Sequence, residues 1–297
     1  LLLKSGADIE ARDRNQETPL QVAMRVHIVA AKLLIKWGAD TNVLDKNEGN
    51  LIHAYAWRSD GKDIVKLLIK CGVDVNGQTN RQYTPLHATT WNGRTQTAKL
   101  LIKHGANVNA RDENNRTPLL SALGHGFAEL AALLVKNNAD VSVVDTEDQR
   151  TPLHLAARHG CTDVVKLLIQ RGADLDAVDA VGSTPLLVAI HKSRLDVVQL
   201  LIRSGADVNA PQCLKQSISQ TEIVNFNSVC NNDPQKSVLG LLVHFGLSVN
   251  ARDADQYASL LHHALSEESL EAADFLIRHG AEVNVCESGA PAKGFLF

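Results

Sequence analysis

The sequence predicts an all-α repeat fold, a solenoid of helix-turn-helix units linked by short β-hairpin-like turns. Three observations carry that prediction. A Gly-Ala-Asp-like motif recurs at Gly6, Gly38, Gly72, Gly105, Asn138, Gly172, Gly205, Gly246 and Gly280, with spacings of 32, 34, 33, 33, 34, 33, 41 and 34 residues. Between these sites stands a second motif, at Thr18-Pro19-Leu20, Thr84-Pro85-Leu86-His87, Thr117-Pro118-Leu119, Thr151-Pro152-Leu153-His154 and Thr184-Pro185-Leu186, with degenerate copies at Asn50-Leu51-Ile52-His53 and Ser259-Leu260-Leu261-His262. Composition is the third: 44% of residues are apolar but only 4% aromatic, so the core must come from Leu, Ile, Val and Ala, which suit closely packed helices. Self-similarity at such a period is the signature of a repeat architecture.

Residues 146–178 show how one unit is built. Thr151 caps the first helix through its hydroxyl, and Pro152 takes the first helical position, where no amide partner is lost. Leu153, Leu155, Ala156 and Ala157 form an apolar first helix with small residues where a neighbour comes close. Gly160 ends it, as Gly93 and Gly126 do in their repeats. Asp163 is expected to cap a second helix, Val164-Val165-Lys166-Leu167-Leu168-Ile169, with Leu167 in its buried middle. Gly172 stops that helix, and Ala173-Asp174-Leu175-Asp176 turns into the next unit. Two short helices cannot bury their apolar faces alone, so each unit needs its neighbours.

The whole chain, 1–297, reads as one array. Residues 1–12 are the tail of an earlier unit, followed by units at about 13–44, 45–78, 79–111, 112–145, 146–178, 179–211, 212–253 and 254–286, and a tail at 287–297. The unit at 212–253 is irregular: 41 residues separate Asn209 from Asn250, with Thr221-Glu222-Ile223-Val224 as the anchor of its first helix and Asp233-Pro234 opening its second. Phe226 stands there where other units carry Ala, and the unit is expected to divide the array into two stacks. The absence of an initiating Met, the start partway into a unit and the lack of polar terminal units are read as a piece of a longer protein.

These motifs resemble the ankyrin family, whose repeat has 33 residues and a Thr-Pro-Leu-His signature. The resemblance covers almost the whole chain. It implies a non-catalytic module that binds other proteins, with the turn tips and the exposed end of each first helix lining a concave surface. It also implies hydroxylation of turn asparagines by a dioxygenase that favours a Leu eight residues earlier, a pattern met by Asn76, Asn109, Asn209, Asn250 and Asn284 with Leu68, Leu101, Leu201, Leu242 and Leu276.

Charge and cysteine usage narrow the function. A formal net charge of -3 argues against nucleic acid and the membrane surface. No run approaches the roughly 18 apolar residues of a membrane span, and Leu1-Leu2-Leu3-Lys4-Ser5-Gly6 turns polar too soon for a signal peptide. Five scattered cysteines, Cys71, Cys161, Cys213, Cys230 and Cys286, fit reduced thiols in the cytoplasm or nucleus better than a disulfide framework. No cofactor or metal is expected. His53, His87, His154 and His262 share one repeat position, where an imidazole bridges turn backbones, and Asp40, Asp74, Asp140, Asp174 and Asp207 are turn residues. Cys213 and Cys230 lack zinc spacing, and no phosphate loop, HExxH or nucleophile elbow occurs.

Variation between repeats carries the binding reading. Seven residues past each motif Thr, or its replacement, stand Arg25, Trp57, Trp91, Gly124, Arg158, His191 and Ser266. Trp57 and Trp91 are thus equivalent residues of adjacent repeats, and Tyr83 precedes its motif Thr. Trp, Tyr and Arg are the residues enriched in interface hot spots. The expected site is therefore Trp57 and Trp91 with Tyr83, Arg58 and Asn92, extended by Arg25 and Arg158. Its expected partner is a protein with acidic residues flanking an apolar anchor, bound by a monomeric scaffold or adaptor. A second class of function is a recruiting or regulatory region of an enzyme, channel or toxin whose active part lies outside this chain.

Overall fold

The computed structural model describes residues 6–45, 47–208, 238–244, 246, 248–250, 260–266 and 270–283. They form paired short helices and, among the described residues, no strands. The chain divides into two compact units, Leu1–Thr146 and Glu147–Phe297. This boundary falls between two regular repeats. Most of the irregular segment 212–253, with Thr221, Phe226, Asp233 and the cysteines Cys213 and Cys230, lies outside the described residues, as do Asn209, Asn284 and Cys286.

The first unit holds four pairs: α1 (Pro19–Val26) and α2 (Ile28–Lys36), α3 (Leu51–Ala56) and α4 (Lys62–Lys70), α5 (Pro85–Thr90) and α6 (Thr95–Lys103), α7 (Pro118–Gly124) and α8 (Ala128–Lys136). The second holds α9 (Pro152–His159) and α10 (Thr162–Gln170), α11 (Pro185–His191) and α12 (Leu195–Arg203), α13 (Val238–His244), then α14 (Leu260–Ser266) and α15 (Leu270–Arg278). First helices stack on first helices, α3 on α5 on α7 and α9 on α11, and second helices on second helices, α4 on α6 on α8 and α10 on α12 on α13. The pair α1 and α2 approaches the next pair less closely than its successors approach one another.

Local chemistry explains each start and stop. Thr18, Thr84, Thr117, Thr151 and Thr184 accept a backbone N–H through their hydroxyls, with Pro at the first helical position, and Asn50 caps α3 through its Oδ1. Each such cap contributes about 1 kcal/mol. Gly160 closes α9 in the left-handed region at φ 72°, and an added Cβ there would meet the Arg194 side chain at 2.9 Å. Second helices are started differently from the expectation. Asp163 lies inside the first turn of α10, and the capping residue is Cys161, whose side chain makes no capping bond. The Asp163 carboxylate instead favours the positive end of the helix dipole and pairs with Lys166 at 3.7 Å.

The residue two past each capping Thr or Asn, namely Leu20, Ile52, Leu86, Leu119, Leu153 and Leu186, is essentially fully buried. The matching second-helix residues are Leu68, Leu101, Leu134, Leu168 and Leu201. Leu167 is only half-buried, so the core position belongs to its neighbour Leu168. Each such leucine contributes roughly 1.5–3 kcal/mol by leaving water.

The β-hairpin-like turns are hydrogen-bonded fingers rather than strands. Asp45 N–H donates to Gly49 O at 2.8 Å, and the same bond recurs from Thr79 to Tyr83, Asp112 to Arg116 and Asp179 to Ser183. Successive fingers are tied by Asn80 N–H to Asn47 O and Glu113 N–H to Arg81 O, both at 2.9 Å.

Candidate protein-interaction surface

Trp57 and Trp91 end α3 and α5 as the capping residues of those helices. Both side chains remain open to solvent, at 44% and 62% exposure. Burial of a large aromatic is the usual outcome of folding, so two equivalent exposed tryptophans on adjacent repeats leave substantial apolar area unused by the fold. The Tyr83 ring meets Trp91 edge-on, with centroids 6.0 Å apart, and its centroid lies 5.0 Å from that of the His87 ring. Tyr83 donates its hydroxyl to His87 O at 3.1 Å, and burial pushes its phenol pKa up to about 12. The phenol is thus a neutral buttress for Trp91.

Asn92 and Arg58 have structural duties that the sequence did not reveal. Asn92 Nδ2 and Arg94 Nε both donate to the carbonyl of Trp57, at 3.1 and 2.9 Å, fastening one inter-helix loop to the cap of the preceding helix. Arg194 makes the same bond to Arg158 O at 3.2 Å in the second unit. Arginine ten residues past the motif Thr in both repeats was the available signal for this clamp. Arg58 grips Asp60 through two bonds, at 2.9 and 3.1 Å, and its guanidinium sits 5.5 Å over the Tyr55 ring. The pairing raises the Arg58 pKa and lowers that of Asp60. Arg158 is exposed but belongs to the second unit. Arg25 lies in α1, and its side chain is outside the described part.

The recurring histidines bridge turns. His87 Nδ1 accepts the Thr84 N–H at 3.2 Å, so Nε2 carries the proton and donates to Arg116 O of the next repeat at 3.0 Å. His154 does the same between Thr151 and Ser183 O. His53 lies between Asn50 Oδ1 and Tyr83 O, each 2.9 Å away. Burial lowers the pKa of both His53 and His87. The turn asparagines bridge as well. Asn76 donates to Gly105 O and accepts from Asn107 N, and Asn109 repeats this with Asn138 O and Asp140 N. Among the described residues no group of three His, Cys, Asp or Glu is placed to hold a metal ion, and no helix is long and apolar enough to cross a membrane.

The period, the caps and the histidine bridges agree with comparison against known families. A model of ankyrin repeats in three copies matches residues 1–79, 51–145 and 134–212. The chain belongs to the ankyrin-repeat family. Comparison with curated proteins returned no match. Ankyrin repeats are generally protein-interaction modules and typically carry no catalysis. In this ankyrin array the cap, the bridging histidine and the finger hydrogen bonds recur, whereas Trp57, Trp91 and Tyr83 are confined to the second and third repeats.

Proposed function

We propose that the first unit is a protein-binding scaffold whose concave ankyrin surface grips an apolar segment of a partner at Trp57 and Trp91. The observation that carries this reading is the pair of exposed tryptophans at one repeat position, with Asn92 and Arg94 holding the backbone carbonyl of Trp57 and the Tyr83 ring meeting that of Trp91 edge-on. Rigid aromatic anchors lose little side-chain entropy on binding, which favours hot-spot behaviour. Around the pair Arg58, Lys62 and Arg94 stand against Asp60 and Asp63, a surplus of one positive charge that suits acidic residues beside the apolar anchor. Sequence reading rested the acidic preference on Arg25 and Arg158; in this reading Lys62 and Arg94 stand nearer the pair, and the charge of Arg58 is matched by Asp60. The free thiols Cys71 and Cys161 suit a reducing setting such as the cytoplasm.

Selection from a random displayed-peptide library on the folded chain tests the reading. The expected consensus is an aromatic or aliphatic anchor flanked by Asp or Glu, enriched on the wild type and lost on Trp91→Ala. A basic consensus, or peptides that bind Trp57→Ala and Trp91→Ala as well as wild type, would sink it.

A further inference from the structure

The clamp that fastens an inter-helix loop to the preceding first helix occurs in both units, but it frames different residues. Arg194 Nε donates to Arg158 O at 3.2 Å, as Arg94 Nε does to Trp57 O at 2.9 Å. Counted from the capping Thr or Asn, Trp57 corresponds to Arg158 and Asn92 to Lys192. Two cations of the second unit thus stand where the first unit has an apolar ring and an amide. Arg158 lies in the last turn of α9, and Lys192 caps the end of α11. The Arg194 stem packs so closely on Gly160 that an added Cβ would meet its Cδ at 2.9 Å. All three residues are exposed.

No carboxylate pairs with this group. Among the described residues none of Arg158, Lys192 and Arg194 forms an ion pair, whereas Arg58 of the first unit is held by Asp60. Asp163 and Asp196 lie inside the first turns of α10 and α12, and Asp163 pairs with Lys166 instead. A helix end carries only about half a unit of negative charge, so the ends of α9 and α11 offset about one of the three cations. With Nε tied to a carbonyl, Arg194 holds its two terminal nitrogens ready for a further acceptor, in the planar arrangement that suits a carboxylate or a phosphate. The backbone decides between those two. The N–H groups of Gly160, Cys161, Thr162, Lys192, Ser193 and Arg194 are all spent on carbonyls of their own repeat. No cradle of backbone N–H groups of the kind that holds phosphate is on hand there, and the partial negative charge of two helix ends opposes a phosphate dianion more than a carboxylate.

We propose that Arg158, Lys192 and Arg194 form a second partner-binding site, which takes neighbouring carboxylates of an acidic peptide rich in Asp or Glu and needs no apolar anchor. Arg194 holds one carboxylate with its terminal nitrogens, and Arg158 and Lys192 meet its neighbours. The site lies wholly in the second unit and does not depend on the tryptophan pair.

Fluorescence anisotropy of a fluorescein-labelled hexaglutamate peptide tests this on the whole chain, on Arg158→Gln, Lys192→Gln and the double variant, and on Trp57→Ala. Labelled hexaglutamine, a phosphoserine peptide and single-stranded DNA serve as the other probes. The expected result is saturable binding of hexaglutamate but not hexaglutamine, weakened about 3-fold by each single substitution and roughly 10-fold by both, as exposed charge pairs would give. Trp57→Ala should bind hexaglutamate as the wild type does. Both substituted cations are exposed, so dichroism melts of the variants should match the wild type. Absence of saturable hexaglutamate binding, or binding that survives the double variant, would overturn the proposal. So would a phosphopeptide or DNA that binds more tightly than hexaglutamate and is lost in the same variants. Loss of hexaglutamate binding in Trp57→Ala would place the acidic peptide on the tryptophan surface and overturn the second site while leaving the first.

Discussion

Leu168 on α10 is wholly buried, whereas Leu167 beside it is half-buried. Leu168→Ala removes three carbon groups from the interior, a loss of about 2.4 kcal/mol at roughly 0.8 kcal/mol each. The cavity left behind raises the cost to about 3–5 kcal/mol, since close-packed helices relax only in part. Leu167→Ala keeps the core position filled and should cost less than about half as much. With a urea slope of roughly 3 kcal/mol per molar, since the slope grows with chain size, Leu168→Ala should lower the unfolding midpoint by on the order of 1–2 M. Two probes separate local from global effects. The chain's tryptophans, Trp37, Trp57 and Trp91, all lie in the first unit, so their fluorescence reads that unit, while far-ultraviolet dichroism reads all helices. Repeats couple mainly to nearest neighbours, so the dichroism midpoint should move more than the fluorescence midpoint. Equal shifts in both probes would refute the nearest-neighbour reasoning. A cost for Leu167→Ala as large as that for Leu168→Ala would refute the assignment of the core position.

Ser193 occupies the left-handed region at φ 53°, at the repeat position where Gly93, Gly126 and Gly160 stand. Ser193→Gly should therefore raise stability by about 1 kcal/mol in urea unfolding, and a loss of stability would show that the serine side chain holds the turn. His87 has a pKa lowered by burial below its ordinary 6.5. The unfolded chain takes up a proton through 6.5 that the folded chain resists, so its contribution is complete above that pH and declines as pH falls toward the folded value. Urea midpoints at pH 7.5 and 5.5 should drop at the lower pH, and His87→Gln should drop less; an equal drop would place the pH dependence elsewhere.

Much of the fold was legible because the repeat imposes the same chemistry several times. Thr151, Pro152 and Gly160 sit where local rules require a hydroxyl cap, a missing amide and a left-handed residue, and no distant contact alters those needs. The shared position of His53, His87 and His154 predicted a bridge because only a group facing the next repeat recurs at that interval. The core register of α10 was less legible. Val164, Val165, Leu167, Leu168 and Ile169 spread apolar groups over about half of the helix circumference, and packing decides which leucine is enclosed. The expected Asp163 cap failed because Gly160 ends the preceding helix so abruptly that Cys161 already holds the capping position.

At the candidate site, sequence equivalence placed Trp57 and Trp91 at matching helix ends, and the residue before the motif Thr placed Tyr83 near by. The polar neighbours were harder to assign. Arg58 turns to Asp60 two residues on, and Asn92 spends its amide on a backbone carbonyl of the previous repeat. Both choices depend on loop conformation that spacing does not encode.

The most direct measurement on the central claim is titration calorimetry of a library-selected peptide against the wild-type chain, Trp57→Ala and Trp91→Ala, with dichroism melts of each variant. Both residues are largely exposed, so the melts should stay close to wild type, while each substitution should weaken binding by about 2 kcal/mol, roughly 30-fold. Unchanged affinity in both variants would contradict the account, and so would variants that fail to fold, because the tryptophans would then belong to the core.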